Sequence, residues 1–168
     1  TPRPLSNFIA AVAALGPAKS VLDPTCGSGL LLHAVADRTG ATVVHGIDID
    51  SSATERARAV LGNRAQIFDG DALDEELCTQ EQYDLIVADP PLGMRLAAQQ
   101  NVPGLPAKRL TEFGHALLAW ACARITERGR VLAIVTPAFL WSPPAKSVHA
   151  AIKESGCHIR SFIHLPGG

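Results

Sequence analysis

The sequence predicts a doubly wound α/β domain built on a largely parallel sheet. Two observations predict it. Short apolar runs alternate with amphipathic stretches along the 168 residues, the pattern of parallel strands covered by helices on both faces. Aspartates also stand at the ends of successive apolar runs (Asp23, Asp48, Asp71 and Asp89). Open α/β sheets bind ligands beyond those carboxyl ends.

The elements follow in order. An amphipathic helix after Thr1-Pro2-Arg3 leads to a first strand at Ser20–Asp23, which stops at Pro24 because proline cannot continue a central strand. A glycine-containing turn opens a helix over about Leu30–Arg38, and a second strand spans Ala41–Ile47 and ends on Asp48. Ser51 or Ser52 can cap the next helix, which runs to Leu61 before Gly62-Asn63 stops it. Gln66–Phe68 is a short third strand with Asp69-Gly70-Asp71 at its end, and Tyr83–Ala88 is the fourth. Residues 92–108 carry no clear period and read as a long loop. Leu110, Phe113, Leu117, Ala121 and Ile125 recur at helical spacing, with Gly129 as the stop. Val131–Val135 is a continuous apolar strand, buried on both faces. Pro143-Pro144 opens a helix to about Ser155, and His158–Leu165 reads as a last strand before Pro166-Gly167-Gly168. With no closing element after it, the sequence reads as a single domain over 1–168 taken from a longer protein, its sheet truncated at the C-terminal edge.

Composition narrows the partners. Hydrophobic residues at 47% and charged residues at 18% suit a compact domain rather than a disordered segment. Apolar stretches such as Ala116–Ala123 are far too short for a membrane span, and no secretory leader is visible, so a cytoplasmic location with no membrane partner is expected. The net charge of −1 will not draw a polyanion to the domain as a whole. Phosphate contacts would have to come from a local patch, another domain or a partner subunit. Cys26, Cys78, Cys122 and Cys157 form no CxxC pair and read as reduced, mostly buried thiols. The histidines (His33, His45, His115, His149, His158 and His164) show no metal-ligand grouping, so no metal is expected.

The chemistry lies in the turns. Asp23-Pro24-Thr25-Cys26-Gly27-Ser28-Gly29 lets a ligand approach the backbone closely at its glycines. A dinucleotide site would want a third glycine where Leu32 stands, and no lysine occupies the place a phosphate-binding loop needs. The turn therefore suits a ligand without a diphosphate. S-adenosylmethionine fits: its ammonium favours Asp23 and its carboxylate can meet backbone N–H groups at the helix start. Asp48 can accept hydrogen bonds from both ribose hydroxyls, with Asp50 as a competing candidate whose position favours capping. Asp71 can accept from the amino group of the cofactor's adenine, and a plain turn at Gly70-Asp71 is an equally open reading.

Asp89-Pro90-Pro91-Leu92 is the most informative tetrapeptide. The prolines stiffen the backbone and present the Asp89 carboxylate and the Pro90 carbonyl at the strand end. Two acceptors holding the hydrogens of a ring-conjugated amine bias its nitrogen toward a tetrahedral shape, with the lone pair aimed at a methyl donor. Alignment of this kind supplies much of the catalysis in a direct displacement.

Asp-Pro-Thr-Cys-Gly-Ser-Gly at 23–29 followed by Asp-Pro-Pro at 89–91 resembles the N6-adenine DNA methyltransferases, and within them the methylase subunit of type I restriction-modification systems. Thr1-Pro2-Arg3 resembles that family's Thr-Pro segment, Gly129–Pro137 its strand ending in proline, and Ile152–Gly167 its later helix and strand ending in Leu-Pro. The resemblance implies a Rossmann-like methyltransferase fold that transfers a methyl group from S-adenosylmethionine to the amino nitrogen of a flipped adenine in DNA. It implies catalytic roles for Asp89, Pro90, Pro91 and Leu92, and a cofactor site formed by Thr1, Pro2, Asp23, Pro24, Cys26, Gly27, Gly29, Asp48 and Asp71. It also implies a preceding helical region and a separate specificity subunit that brings the DNA. Leu92 departs from the family, where an aromatic residue stacks on the flipped base; Phe139 or Trp141 could supply a face instead. Gly93-Met94-Arg95 after the Asp-Pro-Pro-Leu run matches the spacing of RNA guanine-N2 methyltransferases, an alternative reading. A degenerate, non-catalytic cofactor-binding or assembly domain is another, and Leu92 supports it.

Overall fold

A computed structural model describes residues 1–74, 77, 82–96 and 110–165. Among them the chain forms α1 (Arg3–Ala13), β1 (Ser20–Asp23), α2 (Leu30–Thr39), β2 (Val43–Asp48), α3 (Ser51–Leu61), β3 (Gln66–Asp69), β4 (Tyr83–Ala88), α4 (Phe113–Cys122), β5 (Ile125–Ala133) and α5 (Pro143–Glu154). Short 3₁₀ turns at Gly62–Arg64 and Pro137–Leu140 join them. The strands make one sheet in the order β3-β2-β1-β4-β5, and every pairing is parallel. This is the doubly wound, parallel α/β architecture that the sequence predicts.

Alternation along the strands builds both faces. On β1, Val21 joins one core and Leu22 the other; on β4, Leu85 and Val87 oppose Ile86 and Ala88. The first core is closed by Ala10 and Ala13 of α1, Leu31, Leu32 and Val35 of α2, and Ala57 and Leu61 of α3. The second is closed by Ala116, Leu117 and Trp120 of α4, and α5 packs behind α4 through Val148 and Ile152, with Phe139 of the preceding turn. No helix among the described residues is long and apolar enough to cross a membrane.

Two joints matter for the site. Asp50, rather than Ser51 or Ser52, caps α3 by accepting the Ser52 N–H at 2.9 Å. Arg130 of β5 reaches under α1 and donates to the carbonyls of Ala13 (3.0 Å), Gly16 (2.8 Å) and Pro17 (3.4 Å). Carbonyls left open at a helix end are a natural seat for a guanidinium.

The C-terminal third corrects the sequence reading three times. α4 ends at Cys122, and Ile125, expected to close that helix, instead starts β5 by pairing with Tyr83. Gly129 is not a helix stop. It sits where the β4–β5 register shifts, its α-carbon so crowded that a β-carbon would stand 2.9 Å from the Tyr83 carbonyl oxygen. The expected strand His158–Leu165 forms no strand among its described residues and is exposed throughout. The Phe162 ring lies 6.1 Å from that of Phe139, so a side chain tethers the segment while its backbone makes no ladder.

Candidate active site

The order of the sheet dictates where a ligand can sit. The chain winds outward from β1 to β3, then crosses back to place β4 on the other side of β1. The crevice at this switch point lies at the carboxyl ends of β1 and β4. Asp23 and Asp89 stand there, and Asp48 ends the neighbouring β2.

Asp23 is 1% exposed and accepts the Thr25 N–H on Oδ1 at 3.1 Å. Burial pushes its carboxyl up to about 7; the charges of Asp89 and Asp48 push the same way, against the Thr25 hydrogen bond. The three carboxylates therefore form one electrostatic cluster with an excess of negative charge. A cationic ligand group beside Asp23 would relieve it.

The 23–29 turn wraps this cluster. Gly27 donates its N–H to Asp48 Oδ2 at 2.7 Å, and Asp50 N–H reaches Asp48 Oδ1 at 3.0 Å. Each oxygen keeps a further lone pair, so the carboxylate is fixed in place and still able to accept. Gly27 has φ +52, and nothing lies within 4 Å of where a β-carbon would be. Backbone thus opens directly onto the crevice. Thr25 Oγ1 is buried and has no hydrogen-bond partner among the described residues. An open glycine, a poised diol acceptor and a carboxyl favouring a cation together fit S-adenosylmethionine.

Other residues of the turn serve it from behind. Gly29 (φ +80) has the α3 backbone at Ala57 3.1 Å from its β-position, so its lack of a side chain brings α3 close. Cys26 is buried at 5% exposure, donates its N–H to Ile47 and accepts that of Gly29. Burial pushes its thiol well above the ordinary range, and the side chain fills the core. Pro24 is buried beside it. Asp71 accepts the Leu73 N–H on Oδ1 at 2.9 Å, the turn geometry that its sequence context allows.

At the end of β4, Asp89 meets a residue from far away in the chain: Thr1 Oγ1 donates to Asp89 Oδ2 at 2.6 Å. The spacing of motifs gives no hint of this bond. Pro90 packs against Gly114 at the start of α4, with 3.4 Å from its Cγ to that glycine's β-position. Leu92 is 54% exposed. The two aromatic candidates separate clearly. Phe139 is 2% exposed, packed between His115 and His149, and belongs to the core, whereas Trp141 is 65% exposed.

Residues 21–102 match a family described as a methyltransferase domain. The tRNA1(Val) (adenine(37)-N6)-methyltransferase of Haemophilus influenzae is 31% identical over 119 residues, covering 67% of this chain and 51% of that protein. The chain thus spans about half the length of the curated relatives it matches. Among solved structures, the type I restriction-modification methyltransferase subunit from Streptococcus thermophilus superposes with a TM-score of 0.76 at 20% identity, over 92% of this chain and 38% of that one. A Listeria monocytogenes protein described as a class I S-adenosylmethionine-dependent methyltransferase superposes at 0.74 with 17% identity, over 92% of this chain and 51% of that one. These likenesses establish the fold. Together with the domain match they imply S-adenosylmethionine as the cofactor.

Proposed function

We propose, from the match of residues 21–102 to a methyltransferase domain family, that this chain methylates the exocyclic amino group of adenine in a polynucleotide. One observation carries the reading: an acceptor pair, Asp89 and the Pro90 carbonyl, ends the strand next to the 23–29 turn, and the Asp89 charge is felt at Asp23. When bound, S-adenosylmethionine supplies a sulfonium methyl group. Asp23 would hold the ammonium, Asp48 the ribose hydroxyls, Asp71 the adenine amine of the cofactor, and N–H groups at the start of α2 its carboxylate. Thr1-Pro2 would close the rim. Asp89 and Pro90 hold the hydrogens of the acceptor amine and turn its lone pair toward the methyl. Asp89 orients rather than deprotonates, because the amine proton becomes acidic only after transfer.

Adenine in DNA is the acceptor in our first reading, supported by the Thr1-Pro2 and Asp-Pro-Pro residues and by the likeness in fold to the Streptococcus thermophilus subunit. In that case a specificity subunit or further domain brings the DNA. RNA is the second reading, favoured by the identity to the tRNA adenine-N6 methyltransferase. The deciding experiment incubates full-length protein and tritiated S-adenosylmethionine with duplex DNA or with total tRNA, then digests to nucleosides. Label in N6-methyldeoxyadenosine supports the first reading and label in N6-methyladenosine the second; label in N2-methylguanosine would overturn adenine.

Two substitutions probe the roles within whichever reaction is found. Asp89→Ala should abolish transfer while calorimetric affinity for S-adenosylmethionine stays within a few-fold; a large loss of binding would contradict its assignment to the acceptor. Trp141, the exposed aromatic, is proposed to offer the stacking face that Leu92 lacks. Base–aromatic stacking is worth about 1–3 kcal/mol, so Trp141→Ala should raise the KM for nucleic acid at least fivefold. An unchanged KM assigns Trp141 elsewhere.

A further inference from the structure

We infer that Thr1 is the positioning residue for Asp89, its hydroxyl holding one carboxylate oxygen so that the other is presented to the acceptor amine. The inference rests on the reading of Asp89 given above. The Thr1 hydroxyl donates to Asp89 Oδ2 at 2.6 Å, a short bond to a charged acceptor. Asp89 Oδ1 accepts no hydrogen bond among the described residues. The Thr1 side chain is 6% exposed and that of Asp89 23%, so the carboxylate still reaches solvent.

The need for such a donor follows from the side chain's own freedom. The carboxylate torsion of aspartate is broad, so nothing in Asp89 itself selects which oxygen faces the crevice. A hydroxyl fixed on Oδ2 leaves Oδ1 and the Pro90 carbonyl as the two acceptors.

The donor is itself held firmly. Pro2, at φ −63, starts α1. Its carbonyl accepts both the N–H of Ser6 at 2.9 Å and the Ser6 hydroxyl at 3.2 Å, and Ser6 is 2% exposed. At the far end of α1 the Arg130 guanidinium grips the carbonyls of Ala13 and Gly16. Position therefore passes from β5 through α1 to Thr1 and Asp89. A residue that merely closed the cofactor site would not need its hydroxyl on Asp89.

The test uses the full-length protein with tritiated S-adenosylmethionine and two acceptor probes, total tRNA and duplex DNA. Thr1→Val removes the hydroxyl at equal volume and Thr1→Ser keeps it. Thr1→Val is expected to lower kcat at least tenfold, with calorimetric affinity for S-adenosylmethionine within threefold, and Thr1→Ser to recover kcat to within threefold. An unchanged kcat, or a tenfold loss of cofactor affinity with kcat intact, overturns the inference; the latter makes Thr1 a cofactor contact. Should Asp89→Ala keep full turnover, the reading of Asp89 fails by itself, whatever Thr1→Val does. Denaturation midpoints supply a readout that needs no turnover. The losses from Thr1→Val and Asp89→Asn should be less than additive in the double variant, and strict additivity would mean the two side chains are not coupled.

Discussion

Asp23 faces opposing demands from folding and from binding. The folded protein keeps a proton there up to about 7 because burial disfavours the charge, whereas the unfolded chain releases it near the ordinary carboxyl value of 3.8. Stability contributed by this proton is present at low pH and is lost as pH rises through about 7. Each unit of displacement corresponds to about 1.4 kcal/mol. Asp23→Asn, which keeps the oxygen that accepts the Thr25 N–H, should therefore stabilise the domain by roughly 2–4 kcal/mol at pH 8 and hardly at all at pH 4. Urea midpoints at the two pH values check it; an equal effect at both would remove the buried charge as the cause. In the parent, S-adenosylmethionine affinity should rise as pH climbs through about 7, since its ammonium meets an ionised partner only above that point. A calorimetric series gives the slope, and Asp23→Asn should flatten it.

Between residue and molecule, α1 and its anchor bear the next prediction. Arg130→Met keeps the apolar stem and removes the donors to Ala13, Gly16 and Pro17. Carbonyls deprived of a charged partner cost about 1–3 kcal/mol, and hydrogen exchange in α1 should quicken more than in α4. Exchange raised equally everywhere would mean that Arg130 supports the whole sheet instead. Much at this scale was legible from sequence. β1 and β4 end in Asp-Pro, a break no central strand can cross, and the aspartates at 23, 48 and 89 fall at strand ends accordingly. The start of β5 is hidden in the sequence because Ile125 continues the helical period of α4, while the reason for Gly129 lies across the sheet at the Tyr83 carbonyl. The segment 158–165 is apolar enough to read as a strand, but composition cannot reveal that its backbone finds no ladder among the described residues. The bond from Thr1 to Asp89 was illegible for a different reason: local pattern says nothing about groups joined only by tertiary packing.

For the whole molecule, charge sets the prediction. With a net charge of −1 there is no general field to attract a polyanion, and nonspecific nucleic-acid binding depends on that field. This chain alone should bind duplex DNA or tRNA with a dissociation constant above about 10⁻⁴ M at physiological salt. Fluorescence anisotropy measures it, and micromolar binding would show that a local patch suffices without further domains or partners.

The site gathers residues that the chain delivers at widely separated times. β1 lies inside the sheet, yet its outer neighbour β4 is made after β2 and β3, and Thr1 contacts a residue 88 positions later. A ribosome adding about 5–20 residues each second takes roughly 4–18 s to cover that distance. Until then the nascent chain has the glycine turn and Asp48 but no Asp89, so a half-made protein lacks one wall of the crevice. If Asp89 aligns the acceptor as proposed, a ribosome-bound fragment that stops short of β4 is inert.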